Sequence, residues 1–150
     1  MSVSSSSEGG AGPPAAGPGR EPGQGNGPDH EAVEALLRKF QKELSGGTVS
    51  LALLAVLAAA TEPMYGYRIA KSLEASAGGV LTGKQSALYP VLRNLEGAGL
   101  LESEVEPSIS GPPRRYYRIT ALGREVLAAW ATAWGETRDS VDSLLRGTLS

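Results

Sequence analysis

Five consecutive positions, Arg114-Arg115-Tyr116-Tyr117-Arg118, hold three arginines and two tyrosines in a 150-residue chain whose formal charge is −2. Guanidinium groups bind phosphate and carboxylate alike through a planar fork of N–H donors, and tyrosine hydroxyls reach the same oxygens. The cluster is therefore either an anion-binding edge or one half of an internal set of ion pairs. "LESEVEP", a few residues earlier, supplies Glu102, Glu104 and Glu106. Both stretches alternate, placing Leu101, Ser103 and Val105 on one side of the first, and Arg115, Tyr117 and Ile119 on one side of the second. With the turn-rich "PSISGPP" between them they form a β-hairpin, its glutamates facing Arg114, Tyr116 and Arg118. Cross-strand ion pairs would then occupy Arg118 more readily than Arg114 and Arg115, which adjoin the loop.

A second polar set precedes the hairpin. In "GKQSALYPVLRNLEGAG" a helical period puts Leu88, Leu92 and Leu95 on one face, with Val91 at its margin. Ser86, Tyr89, Pro90 and Arg93 lie opposite, and Lys84 and Gln85 sit at the N-terminal end. Hydroxyls, an amide and two cations on one helix face can bind phosphates or base edges. Pro90 fits a helix only near its start, because it lacks an N–H and crowds the carbonyl four residues back.

Other chemistry is poorly supplied. Absence of cysteine removes disulfides, thiolate ligands and thiol nucleophiles. Paired carboxylates, a phosphate-cradling glycine loop and a Ser/His/Asp set are not found, and His30 stands alone, so an enzyme, a metal site or a cofactor is not expected. From Gly46 onward the chain carries ten basic and ten acidic side chains, so any positive surface must come from arrangement rather than excess.

These groups are positioned by a chain of helices. Residues 1–29, rich in Gly, Pro and Ser and without an aromatic, are expected to form a disordered tail. "DHEAVEALLRKFQKELSGG" predicts an extra helix over 30–45, capped by Asp29 and stopped by Gly46-Gly47. "VSLALLAVLAAA" predicts a buried helix from about Val49 to Ala60, and its 12 apolar residues fall short of the roughly 20 that cross a bilayer. Pro63 would open a third helix in which Tyr65, Ile69 and Leu73 share a face, ending at Gly78-Gly79, with Gly66 allowing close packing and Tyr65 and Tyr67 in the core. After the hairpin, Thr120 caps a last helix over 121–147. Its residues Val126, Trp130, Ala133, Thr137, Val141 and Leu144 step by three or four, close to a heptad seam that calls for a partner helix. Trp130 and Trp134 mark that interface or a wall for a flat ligand.

The order predicts a mainly α fold with a two-stranded β-wing: a winged helix-turn-helix over 46–120 plus a long C-terminal dimerisation helix. The helix near 83–96 would enter a DNA major groove and the hairpin would touch the backbone. A winged helix that serves as a protein-interaction module, its arginines held by glutamates, is the alternative. With no basic-then-apolar leader at its start, the chain is expected in the cytoplasm, with no membrane partner.

"LALLAVLAAATEPMYGYRIAKSLE", "SALYPVLRNLEGAGLLESE" and "GPPRRYYRITALGREVL" resemble, in order and spacing, the PadR family of bacterial transcriptional regulators over about residues 44–145. The resemblance implies a winged-helix homodimer that binds double-stranded operator DNA, commonly as a repressor, with the C-terminal helix forming most of the dimer interface. It places the tyrosine of the "LYP" motif at Tyr89 and the basic wing strand at Arg114 and Arg115. Some members release DNA on binding a small aromatic ligand near that interface, a position that Trp134 would occupy here.

Overall fold

A computed structural model of the chain describes residues 29–77 and 85–149. The expected tail (apart from Asp29), Lys84 and the Gly78-Gly79 helix stop lie outside the described residues. The elements, in chain order, are α1 (His30–Ala59), β1 (Met64–Tyr65), α2 (Gly66–Ala77), α3 (Gln85–Gly97), β2 (Leu101–Glu106), β3 (Arg114–Ile119) and α4 (Ala121–Arg146). The chain divides between Lys39 and Phe40, and the folded body is the C-terminal unit.

Asp29 caps α1 as expected, its Oδ1 accepting from the Glu31 N–H at 2.9 Å. The break expected at Gly46-Gly47 does not occur: α1 runs unbroken through both glycines. Glycine is permissive rather than prohibitive, costing about 1 kcal/mol per position in a helix. The strongly apolar turns that follow supply more than that through Leu53, Leu54 and Leu57, all 2% exposed or less. By length and composition alone α1 could span a bilayer, but these three leucines belong to the core cluster. A Cβ at Gly46 would meet nothing within 4 Å. Gly46→Ala is therefore expected to raise stability by about 1 kcal/mol, read as a higher melting temperature.

The core is aliphatic and small. Leu53, Leu54 and Leu57 of α1 meet Ile69 and Leu73 of α2, Leu88, Leu92 and Leu95 of α3, and Leu100, Leu101, Tyr117 and Ile119 at the base of the wing. No buried polar side-chain atom among the described residues lacks a hydrogen-bond partner.

The third helix starts later than Pro63. Met64 and Tyr65 are extended and pair with β3, Met64 opposite Tyr117 and Tyr65 opposite Tyr116, so the sheet has three strands in the order β1-β3-β2. Two residues are too few for periodicity to tell strand from helix; the pairing with β3 decides the matter. Tyr65 is consequently not on the helical face shared by Ile69 and Leu73.

Leu100 and Gly99 close α3 with two reversed hydrogen bonds, Leu100 N–H to the Leu95 carbonyl and Gly99 N–H to the Glu96 carbonyl, both 2.9 Å. Gly99 has a φ of 83°, the left-handed conformation this helix ending requires. The turn buries Leu100 against Leu95 and launches β2. At the far end of the hairpin Thr120 caps α4 as expected, its Oγ1 accepting from the Gly123 N–H at 2.9 Å and donating to the Gly99 carbonyl at 2.7 Å. One threonine thus ties the starts of β2 and α4 together.

Candidate nucleic-acid interface

The period read from α3 holds. Leu88, Leu92 and Leu95 are no more than 4% exposed, while Ser86, Tyr89, Pro90 and Arg93 face outward. Pro90 lies inside the helix, one turn from its first residue, Gln85. Arg93 makes no ion pair with any described residue.

Tyr89 does more than face solvent. A Cβ at Gly66 would come within 2.6 Å of its Cε1 and hydroxyl oxygen, so the ring lies directly on the Gly66 backbone. Gly66 therefore permits the close approach of α2 and α3 expected of it. Tyr67, expected in the core, is instead 48% exposed. Its ring stacks on Tyr65 and lies near the Lys71 ammonium.

The glutamates face Arg114, Tyr116 and Arg118 as alternation predicts, in the register Glu102 opposite Arg118, Glu104 opposite Tyr116 and Glu106 opposite Arg114. The arginines then take three different roles. Arg118 is paired, its Nε donating to Glu102 at 2.7 Å, with both side chains about half exposed, so the pair contributes at most about 1 kcal/mol. Arg115 donates from one terminal nitrogen to the Ser103 hydroxyl at 2.9 Å, and Ser103 donates in turn to Glu96 of α3 at 2.7 Å. Arg114 does not ion-pair with Glu106; its guanidinium lies over the Tyr65 ring, 4.4 Å from the centroid. Stacking on an aromatic face fixes the plane of a guanidinium and leaves its N–H edge able to donate.

That stack belongs to a larger surface that the sequence did not disclose. Tyr65 meets Tyr116 edge-on at 5.5 Å and stacks near-parallel with Tyr67 at 6.4 Å, and the Lys71 ammonium sits 5.5 Å from the Tyr67 ring centroid. Tyr67 and Lys71, four apart, could have been read as a helical pair. The Tyr65–Arg114 contact could not, since it depends on β1 joining the sheet. Tyr117 is buried, and burial pushes its phenol above the usual range; Arg115 opposes that shift and Glu96 adds to it. The phenol is therefore neutral at physiological pH.

Trp130 and Trp134 line one groove, with Ala133 of α4 and Leu44, Gly47 and Leu51 of α1; it is open, largely apolar and about 400 Å³ in volume. Beyond Trp130 the seam is uncovered, with Val141 47% and Leu144 74% exposed.

Comparison with known proteins agrees with this arrangement. Residues 53–129 match the transcriptional regulator PadR-like family, a span from the apolar half of α1 to the first turns of α4, just before Trp130. The crystal structure of a PadR family transcriptional regulator from Eggerthella lenta is similar at 36% identity and a TM-score of 0.63, covering 77% of this chain and 96% of that one. A PadR-like transcriptional regulator from Bacillus cereus is 29% identical at a TM-score of 0.54, over 69% of this chain and 96% of its own. A protein of Lysinibacillus sphaericus is 30% identical over 83 residues, 55% of this chain and 76% of that one. The matched span covers α2, α3, the three strands and the start of α4. The chain belongs to the PadR-like family of winged-helix, DNA-binding transcriptional regulators, which are not enzymes.

Proposed function

We propose that the protein acts as a homodimeric repressor that occupies a near-palindromic operator. Two copies of α3 would enter successive major grooves about 34 Å apart, and the wings would hold the flanking backbone. Gln85, Ser86 and Arg93 are the candidates for base edges, Tyr89 for either base or phosphate, and Lys84, Arg114 and Arg115 for phosphates. The observation that carries this reading is Arg114, which ion-pairs with no carboxylate among the described residues and lies over the Tyr65 ring, 4.4 Å from its centroid. In the alternative protein-interaction module the wing arginines would be consumed by glutamates, and among the described residues only Arg118 is paired with one.

The dimer would form through α4. Val141 and Leu144 are exposed in one chain at positions that continue the seam of Val126, Trp130, Ala133 and Thr137. A second copy would cover this seam, and the neighbouring groove walled by Trp130 and Trp134 would accept a small flat aromatic ligand whose binding relieves repression. Val141→Glu combined with Leu144→Glu is expected to halve the mass seen in sedimentation velocity. Because both residues are exposed, the melting of the single domain should change little. Affinity for a duplex with two half-sites should fall on the order of 100-fold or more, since the second half-site is no longer tethered. A doubly substituted protein that still sediments as a dimer would remove α4 as the interface.

A further inference from the structure

Burial anchors the wing at its base, and further out Arg114 lies over the Tyr65 ring. Along β2 burial ends after Leu101 apart from partly buried Ser103, and along β3 it begins at Tyr116 and Tyr117. Val105 is 50% exposed and Ile109, in the loop, is fully exposed. Ser103 pairs with Tyr117 in the sheet, at the boundary between the anchored and the projecting halves. At that boundary sits the polar chain from Glu96 through Ser103 to Arg115.

We propose that Glu96, Ser103 and Arg115 form a brace that sets the angle of the wing relative to the recognition helix, making Glu96 and Ser103 positioning residues for DNA binding. The inference rests on the wing contact assigned above. The donors and acceptors fit a single orientation: the serine hydroxyl has one proton, given to the Glu96 carboxylate, and its lone pair receives the arginine N–H. Carboxylate and guanidinium polarise the hydroxyl in the same sense, which strengthens both bonds. Each link also joins two different elements, α3 to β2 and β2 to β3, so the chain stiffens the junction rather than one strand.

Leverage makes the brace matter. Arg114 pairs with Glu106, three residues beyond Ser103, or roughly 10 Å at about 3.3 Å per residue. A tilt of about 10° at Ser103 would then move Arg114 by roughly 2 Å, enough to lose a hydrogen bond to a phosphate. Arg115 uses one terminal nitrogen in the brace and keeps other N–H groups for a phosphate, so it can hold the wing and touch the backbone together.

The test is a double-substitution cycle, read by anisotropy of the dimer on a short fluorescein-labelled duplex selected from a randomised pool. Arg114→Ala alone is expected to weaken binding about tenfold, the cost of a lost charged hydrogen bond. Ser103→Ala alone should weaken it about fivefold, with the melting temperature moved by only a few degrees. Because the unbraced wing no longer presents Arg114, the two together should cost no more than about tenfold instead of about fiftyfold. Ser103→Thr, which keeps a hydroxyl at the same point of the strand, should restore both the affinity and the full cost of Arg114→Ala. Equal costs of Arg114→Ala with and without the serine hydroxyl would overturn the brace while leaving the wing contact in place. No effect of Arg114→Ala in the otherwise native protein would overturn the wing contact, and the brace with it.

Discussion

Alanine at Gly123 is expected to destabilise the folded body by about 2–3 kcal/mol, although glycine-to-alanine changes in helices ordinarily stabilise. Gly123 is buried in the first turn of α4, and a Cβ there would lie inside the contact radius of the Leu100 carbonyl oxygen and within 2.6 Å of Ile119 Cγ1. The first of these is backbone, and it is backbone already committed: Leu100 O accepts the Thr120 N–H, and Leu100 is the residue that the Gly99 turn drives into the core. Relief would require α4 to lift from the base of the wing, breaking the Thr120 contacts to Gly99 and Gly123. For a domain of this size the loss corresponds to a fall in melting temperature of roughly 10–20 °C, measurable by circular dichroism. Gly97→Ala is the control, because a Cβ at Gly97 meets nothing within 4 Å. A Gly123→Ala protein as stable as the Gly97→Ala protein would mean that α4 does not dock on the β2 corner as described.

The largest expected effect on function comes from replacing Arg114 and Arg115 together with alanine. Neither side chain belongs to the core, so the melting temperature should hold within a few degrees. Binding should weaken by about 10- to 100-fold for selected and unselected duplexes alike, because phosphate contacts carry no sequence information. The dependence of log affinity on log salt should become shallower by about 0.9 per lost contact, or about 1.8 for the pair. Arg118→Ala should change the slope little, since Glu102 already neutralises that guanidinium. Preferential loss on the selected duplex would assign the arginines to base reading. An unchanged slope would make them internal ligands of the wing glutamates and Ser103.

Much of this arrangement was legible in the sequence because it rests on local periodicity. Alternation in "LESEVEP" and "RRYYRIT" was enough to face Glu102, Glu104 and Glu106 with Arg114, Tyr116 and Arg118. The helical period was enough to separate Leu88, Leu92 and Leu95 from Ser86, Tyr89 and Arg93. Thr120 and Asp29 were readable as caps because capping is settled within one turn.

What escaped the sequence depends on distant residues or on small energy differences. Strand β1 exists because Met64 and Tyr65 find Tyr117 and Tyr116 more than 50 residues later, which no local pattern encodes. From that pairing follow the stack of Arg114 on Tyr65 and the exposure of Tyr67. The brace from Glu96 to Arg115 likewise spans three elements. At Gly46-Gly47 the error was one of weighing, since two glycines cost about 2 kcal/mol while the leucines of the following turns secure the helix by burial.

Fluorescence anisotropy of the purified protein on a mixed pool of short duplexes at two salt concentrations, with sequencing of the retained DNA, tests the central claim most directly. The account predicts enrichment of a near-palindromic motif, its half-sites about one helical turn apart, bound more weakly at the higher salt. No retention at either salt concentration would contradict the assignment of the Tyr89, Arg93 and Arg114 surface to DNA.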